Sequence, residues 1–310
     1  MSQLMIQTHE LTKHYGDIKA VDHLNLTVAE GEIFGFLGPN GAGKTTTLLM
    51  LMGLTVPTSG TATVGGYDII KDSRNVRRIA GLLPEGAGYY EDLTAKQNLK
   101  YIGQLNDIPR IEAEKRISEL LETVGLAKWA DTKVEKFSRG MKQRLGIAQV
   151  LIKRPKVAFF DEPTIGLDPQ GTKEIRDMLI KLNKEHGLTV FLSSHMLYEV
   201  QQTCRRVGII RGGKLIAADT IENLSNKLAK EKITIEFELS KISPDLIREI
   251  KAIDGVTSVD QENHKLYVQM ERDRSMEVSQ TITKHGTMIL LMKPKEYSLE
   301  EIFLKYYEEA

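Results

Sequence analysis

Along the first 230 residues the apolar positions gather into several short, dense runs. Ile33 to Leu37 (IFGFL) is one such run, leading into a glycine-rich turn and then into an apolar helical stretch that begins at Thr45 and ends near Gly53. Lys156 to Asp161 (KVAFFD) and Leu188 to Ser193 (LTVFLS) are apolar without alternation, the pattern of strands covered on both faces of a parallel sheet. Gly171 to Glu185, between them, reads as a helix. Strand, glycine-rich loop, helix and further buried strands together predict an α/β fold. From Thr94 to Val150 the chain reads as mostly helical, with Ile111, Leu120, Leu121 and Val124 recurring at helical spacing, and is expected to form a helical subdomain beside the sheet.

The pattern changes after residue 232. Ile233, Ile235, Phe237 and Leu239 alternate, predicting a half-buried strand. Ser243-Pro244 opens a helix with Leu246, Ile247, Ile250 and Ile253 on one face, closed at Asp254-Gly255. Strands are predicted at Val256 to Val259 and Leu266 to Met270, joined across Glu262-Asn263. A helix near Ser275 to Lys284 and an apolar strand, Met288 to Met292, complete the order β-α-β-β-α-β, which predicts a ferredoxin-like α+β domain. A last helix starts at Ser298, with Glu301 three residues on as a capping box and Leu299, Ile302, Phe303 and Tyr306 as its stripe. The boundaries expected are an α/β domain over 1–222 with its helical subdomain at about 94–150, a polar linker over 223–232, and the small α+β domain over 233–310.

Composition narrows the class. The densest apolar run, Leu48 to Leu54, is far below the roughly 18 residues that a membrane-spanning helix needs, so the chain is not expected to cross a membrane. The first thirty residues lack the pattern of a secretion signal. With Cys204 as the one cysteine, an internal disulfide and Cys-x-x-Cys zinc sites are excluded, and a cytoplasmic location is expected. The 42 basic and 42 acidic residues cancel and give no global reason to expect nucleic acid. The last eighty residues hold 11 basic and 16 acidic side chains, leaving 31 and 26 in the first 230.

The chemistry is concentrated in the α/β part. Gly38-Pro-Asn-Gly-Ala-Gly43-Lys44-Thr45 fits the G-x-x-x-x-G-K-[ST] phosphate loop, and it stands between a strand and a helix as that loop requires. Gly38, Gly41 and Gly43 let backbone N–H groups turn inward to phosphate oxygens, and the helix start adds its positive end. Lys44 is placed to neutralise terminal phosphates, and the Thr45 hydroxyl is a hard oxygen suited to Mg²⁺. Asn40, Ala42 and Thr46 complete the set expected along the nucleotide. Val157-Ala-Phe-Phe-Asp161-Glu162 sets two carboxylates at the end of a buried strand, where ligands of α/β sheets gather. Asp161 would hold Mg²⁺ through water, while Glu162 would polarise an attacking water.

The phosphate loop is followed by Phe137-Ser138-Arg139-Gly140-Met141-Lys142-Gln143-Arg144, then Asp161-Glu162-Pro163-Thr164, Gly166-Leu167-Asp168-Pro169 and Ser193-Ser194-His195. Five motifs in this order resemble the nucleotide-binding subunits of ATP-binding-cassette transporters, over about residues 4 to 218. The resemblance implies a P-loop ATPase using ATP and Mg²⁺. Tyr15 would stack on adenine, and Ser138 and Gly140 would bind the γ-phosphate of ATP held by the other subunit of a head-to-tail dimer. It further implies that Asp168 crosses that interface and that His195 contacts the γ-phosphate. Ser138 can also cap the following helix, turning its N-terminus toward an anion.

Two departures stand out. Leu82-Leu83-Pro84-Glu85 has glutamate where most of the family has a glutamine that senses Mg²⁺ and water. A carboxylate can ligate Mg²⁺, but it adds charge near the phosphates. Arg139 and Met141 replace the usual glycine and glutamine of the signature. Together these resemble the branch serving multidrug, antibiotic or ion exporters, in which ATPase and membrane permease are separate chains. That resemblance implies a transmembrane permease partner reached through residues 82–93, a homodimer or a heterodimer with a related ATPase, and a peripheral location on the inner face of the cell membrane. The alternative is a soluble cassette acting on ribosomes or DNA, whose families usually carry two cassettes or a long coiled-coil insertion; neither occurs here. The last eighty residues offer no catalytic grouping, and read either as a packing domain or as a ligand-sensing module.

Overall fold

A computed structural model describes residues 3–231, 233–295 and 297–309. The chain forms two compact units, one through Asp219 and one over Thr220–Glu309.

In the first unit a six-stranded sheet runs in the order Lys214–Thr220, Arg206–Arg211, Ile33–Leu37, Thr189–Ser194, Val157–Asp161, Ala80–Leu83. The pairs from Arg206–Arg211 through Ala80–Leu83 are parallel. Val157–Asp161 and Thr189–Ser194 are buried along their whole length, as runs without alternation require. Phe34, Phe36 and Phe159 all pack on Phe191, with ring centroids 5.3 to 5.6 Å apart. A second, antiparallel sheet is built on Leu4–Tyr15, which pairs with Ile18–Leu24, Thr27–Ala29 and Ser59–Val64.

The stretch expected to be helical holds three packed helices, Ala95–Leu105, Arg110–Thr123 and Arg139–Leu151. The first carries a capping box, Thr94 with Gln97. One expectation fails in the second helix: Ile111 is 86% exposed, and the buried stripe is Ala113, Ile117 and Leu121. The stripe repeats every fourth residue from Ala113, which leaves Ile111 in the first turn on the outer side.

The second unit is a four-stranded antiparallel sheet in the order Val256–Glu262, Lys265–Met270, Ile233–Leu239, Ile289–Pro294. With helices Pro244–Lys251 and Ser275–Lys284 between the strands, this is the expected ferredoxin-like arrangement. Phe237, Leu266 and Val268 of the sheet pack with Leu246, Ile250, Val278 and Ile282 of the helices. The stretch expected as a linker is a helix instead, Ile221–Glu231. Its Leu224 and Leu228 are buried, and it packs against the terminal helix Leu299–Glu309. Those two leucines sit four residues apart on one face, so polar composition concealed an amphipathic helix. Lys232, and residues 1, 2 and 310 of the expected domains, lie outside the described residues.

Ser298 and Glu301 cap the terminal helix reciprocally: the Glu301 amide donates to Ser298 Oγ (3.2 Å), and the Ser298 amide to Glu301 Oε2 (2.9 Å). Burial works against the charged form of Glu301, but Lys295 and the Ser298 amide outweigh it and hold the carboxyl below its ordinary value. A carboxyl lowered in the fold stabilises above its unfolded pKa, and that stability is lost as pH falls through the folded value. Ser298→Ala should therefore cost about 1 kcal/mol. Glu301→Gln should lower stability at neutral pH, with the gap to the parent chain closing as pH falls below 4.5. Hydrogen exchange of the Ile233–Leu239 amides measures both.

Candidate nucleotide site

The strand Ile33–Leu37 delivers the chain into the phosphate loop, and the helix that follows, Lys44–Leu51, begins with Gly43 as its cap. No side chain caps this helix, so its first amides are left to an anionic ligand. Gly43 has φ 107°, and a Cβ there would overlap the carbonyl oxygen of Ala20, so glycine is required on both counts. Lys44 is 6% exposed. Its ammonium donates to the carbonyls of Gly38 (2.7 Å) and Pro39 (3.3 Å) and lies 3.2 Å from Glu162 Oε1.

Parallel register sets the other groups beside it. Asp161 pairs with Ser193 and Leu37 with Ser194, so the ends of three neighbouring strands converge. Thr45 Oγ1 donates to Asp161 Oδ2 (2.7 Å), and Ser193 Oγ donates to Asp161 Oδ1. Glu162 is 4% exposed and has φ 49°, a left-handed conformation that a non-glycine residue holds only when its surroundings enforce it. Its Oε2 is 2.9 Å from His195 Nδ1 and accepts from Ser194 Oγ and the His195 amide (3.3 Å each). Among the described residues no three of His, Cys, Asp and Glu gather into an all-protein metal site. Thr45 and Asp161 do fit Mg²⁺, which takes one or two protein oxygens and completes its shell with water and substrate phosphates.

A second cluster contains Ser138, Gly140 and Asp168. Ser138 Oγ accepts from the Met141 amide (3.3 Å), capping Arg139–Leu151 as expected. Asp168 Oδ1 accepts from the Gly171 amide (2.7 Å) and caps the helix Pro169–His186. Both caps line a cleft of about 440 Å³ together with Arg139, Gly166 and Leu167. None of the phosphate-loop residues line it.

Two expected site residues are exposed. Tyr15 is 49% exposed at a strand end, with the Lys13 ammonium 5.0 Å from its ring centroid. Glu85 is exposed in the turn after Ala80–Leu83, and among the described residues it makes no hydrogen bond or ion pair with Thr45 or Asp161. Sequence reasoning missed other residues. Asn98, 1% exposed, accepts from the Tyr90 amide through Oδ1 (3.0 Å), and its Nδ2 donates to the carbonyls of Tyr90 and Thr94 (3.0 Å each), pinning the end of segment 82–93. Tyr89 of that segment is half-buried against Gly146 of the signature helix, and this desolvation pushes its phenol pKa up to about 12. The nearby capping box was the available signal for Asn98. Burial likewise raises the pKa of the Cys204 thiol, which keeps it protonated.

A buried lysine in a phosphate loop, facing an Asp-Glu pair at adjacent strand ends, defines a P-loop ATPase cassette. The ABC transporter family profile matches residues 21–165. The chain is 40% identical over 301 residues to the bacitracin transport ATP-binding protein BcrA of Bacillus licheniformis, covering 97% of this chain and 96% of that protein. It is 36% identical to the linearmycin resistance ATP-binding protein LnrL of Bacillus subtilis, covering 97% of each. Among solved structures, it resembles cbiO1 of Clostridium perfringens, part of the transporter complex cbiONQ (TM-score 0.66, 27% identity, 80% of this chain and 95% of that one). It also resembles the ATP-binding cassette MJ0796 in a dimeric post-hydrolysis state with ADP and phosphate (TM-score 0.63, 28% identity, 70% and 98%). The chain belongs to the ATP-binding proteins of ABC transporters. It is an ATPase, and its work is ATP-driven transport with a membrane partner.

Two of the loop's three glycines, Gly41 and Gly43, separate sterics from backbone conformation. Gly41 has φ 80° with open space around it, whereas Gly43 meets the Ala20 carbonyl. Gly41→Ala should cost about 1 kcal/mol, and Gly43→Ala at least about 2 kcal/mol. Denaturant unfolding of the two variants checks the order.

Proposed function

We propose that the chain is one half of a head-to-tail pair, a homodimer or a heterodimer with a related ATPase, in which each ATP lies between the Lys44 loop of one subunit and the Ser138 helix start of the other. The observation that carries this reading is the presence of two separate anion-facing clusters on one chain, each lacking what the other supplies. The Lys44 cluster has charge neutralisation and carboxylates, while the Ser138 cluster has a capped helix start beside Asp168. The dimeric form of MJ0796 supports it.

In this reading Lys44, the loop amides from Asn40 to Gly43 and the amides of Thr45 and Thr46 hold the phosphates, with Gly38 letting the loop turn. Asn40 and Ala42 border them, and Tyr15 stacks on adenine. Thr45 and Asp161 hold Mg²⁺, which would neutralise charge developing on the phosphate oxygens. Glu162 orients water for attack on the γ-phosphorus and accepts its proton, as the bond to the ADP oxygen breaks. His195, already bonded to Glu162, faces the γ-phosphate and keeps that carboxylate in place. Ser138, Gly140 and Asp168 close the site from the other subunit. Nucleotide binding joins the pair and hydrolysis releases it, a two-state switch that residues 82–93 pass to the permease. The relatives named for bacitracin transport and linearmycin resistance support export of such compounds, from a position on the inner face of the membrane. No part of this reading involves nucleic acid.

Glu162→Gln should bind ATP, lose turnover by at least about a hundredfold, and accumulate as an ATP-bound dimer by size-exclusion chromatography. A variant that stays monomeric with saturating ATP and Mg²⁺ would sink the shared site. For Glu85, the proposal is that segment 82–93 brings it to the metal when nucleotide binds. Glu85→Ala should then lower steady-state hydrolysis about tenfold or more, with Glu85→Gln closer to the parent chain; full activity in both removes Glu85 from the site.

A further inference from the structure

Arg139 occupies a signature position that the nucleotide chemistry above leaves unused. It is the first residue of the helix Arg139–Leu151, and a cation there is opposed by the positive end of the helix. Its charge is therefore poorly placed for the stability of that helix. Its guanidinium lies against Gly166: a Cβ built on Gly166 would be 2.5 Å from Arg139 Cζ, 2.9 Å from Nη2 and nearer still to Nη1. Gly166 has φ 67° and belongs to the turn in which the Leu167 amide bonds the Thr164 carbonyl (3.2 Å) and the Ile165 amide that of Glu162 (3.2 Å). The next two residues are Leu167, which faces Gly140 at 3.9 Å from a Cβ built there, and Asp168, which caps the following helix. One planar cation thus lies against Gly166, within the turn that links Glu162 to Asp168.

We infer that Arg139 is a positioning residue of the shared ATP site, its guanidinium bracing the Gly166 turn so that Ser138, Gly140 and Asp168 are presented to the second subunit as one surface. The inference rests on the head-to-tail reading above. A flat guanidinium can lie on a glycine peptide where a lysine ammonium cannot, so shape and not charge is the operative property. Gly166 has the complementary role. It is bare because the guanidinium fills the place of a side chain, and the left-handed backbone is what glycine tolerates. The two residues act as a pair, and the cost of altering one depends on the state of the other.

The test uses the full chain in the Glu162→Gln background, reading the ATP concentration that gives half-maximal dimer and, separately, ATP binding to the dilute monomer. Arg139→Gly is expected to raise the concentration for dimerisation roughly three- to tenfold while monomer binding at the Lys44 loop holds. Arg139→Lys should behave like Arg139→Gly, because it keeps the charge and loses the plane. Gly166→Ala should also weaken dimerisation, and less so when Arg139→Gly has removed the guanidinium that its methyl group meets. If Arg139→Gly dimerises at the parental ATP concentration, or if Arg139→Lys restores the parental value in full, the inference is overturned and the shared site stands. If the Glu162→Gln parent never dimerises, the shared site fails and the inference fails with it.

Discussion

The contact on which the nucleotide site depends is the buried ion pair between Lys44 and Glu162, with both side chains about one-twentieth exposed. A buried ammonium is tolerable only when paired and hydrogen-bonded, and Lys44 meets that condition with two loop carbonyls and one carboxylate. The carbonyls come from Gly38 and Pro39, so pairing the lysine also curls the loop around its own helix start. The carboxylate comes from a residue with φ 49°, held there by the Ser193 carbonyl on its amide and by His195 on its Oε2. Strain at Glu162 and burial of Lys44 are therefore one arrangement seen from two strands. In the proposed reading ATP would bring phosphate oxygens that compete for the same ammonium, so a ligand arriving at Lys44 would act directly on the residue proposed to activate water.

Asp161 and Glu162 are neighbours in sequence yet serve different halves of this cluster. Asp161 is held by two hydroxyls, Thr45 and Ser193, and among the described residues it makes no ion pair. Glu162 faces Lys44 and His195. Strand pleating sends the two side chains apart, and the left-handed turn at Glu162 completes the separation. The carboxylate proposed to bind metal and the one proposed to orient water thus stand side by side without sharing one partner.

Much of this was legible in sequence because it is local. The phosphate loop, the Asp161-Glu162 strand end, the Ser138 and Ser298 caps and the alternation of Ile233 to Leu239 each depend on residues a few positions apart. The ferredoxin-like order could be read because its strands alternate cleanly. The antiparallel sheet of the first unit escaped for the opposite reason. Leu4–Tyr15 carries register shifts near Leu11 and Lys13 and a left-handed Glu10, which break the period of two. The helix Ile221–Glu231 was hidden because two buried leucines are enough to seat it, and its remaining residues read as polar linker. Contacts between distant segments, such as Arg139 on Gly166, Tyr89 on Gly146 and Asn98 on Tyr90, exist only once the chain is folded.

The C-terminal unit shows how the same charge rules lead elsewhere. Glu236 is as buried as Lys44 and is paired with Lys265 at 2.7 Å. Burying this carboxylate within a sheet is offset by its cross-strand neighbourhood, since Ile233–Leu239 and Lys265–Met270 are adjacent and antiparallel. Lys295 repeats the pattern with Glu301 at 2.7 Å, between the rings of Tyr267 and Tyr297. In both cases the partner is fixed by the fold and each cation already has its carboxylate. At the phosphate loop, by contrast, the helix start behind Lys44 has no side-chain cap, and among the described residues Asp161 makes no ion pair. What separates the first unit's site from these stabilising pairs is thus an uncapped helix start set beside two buried carboxylates at the end of one strand.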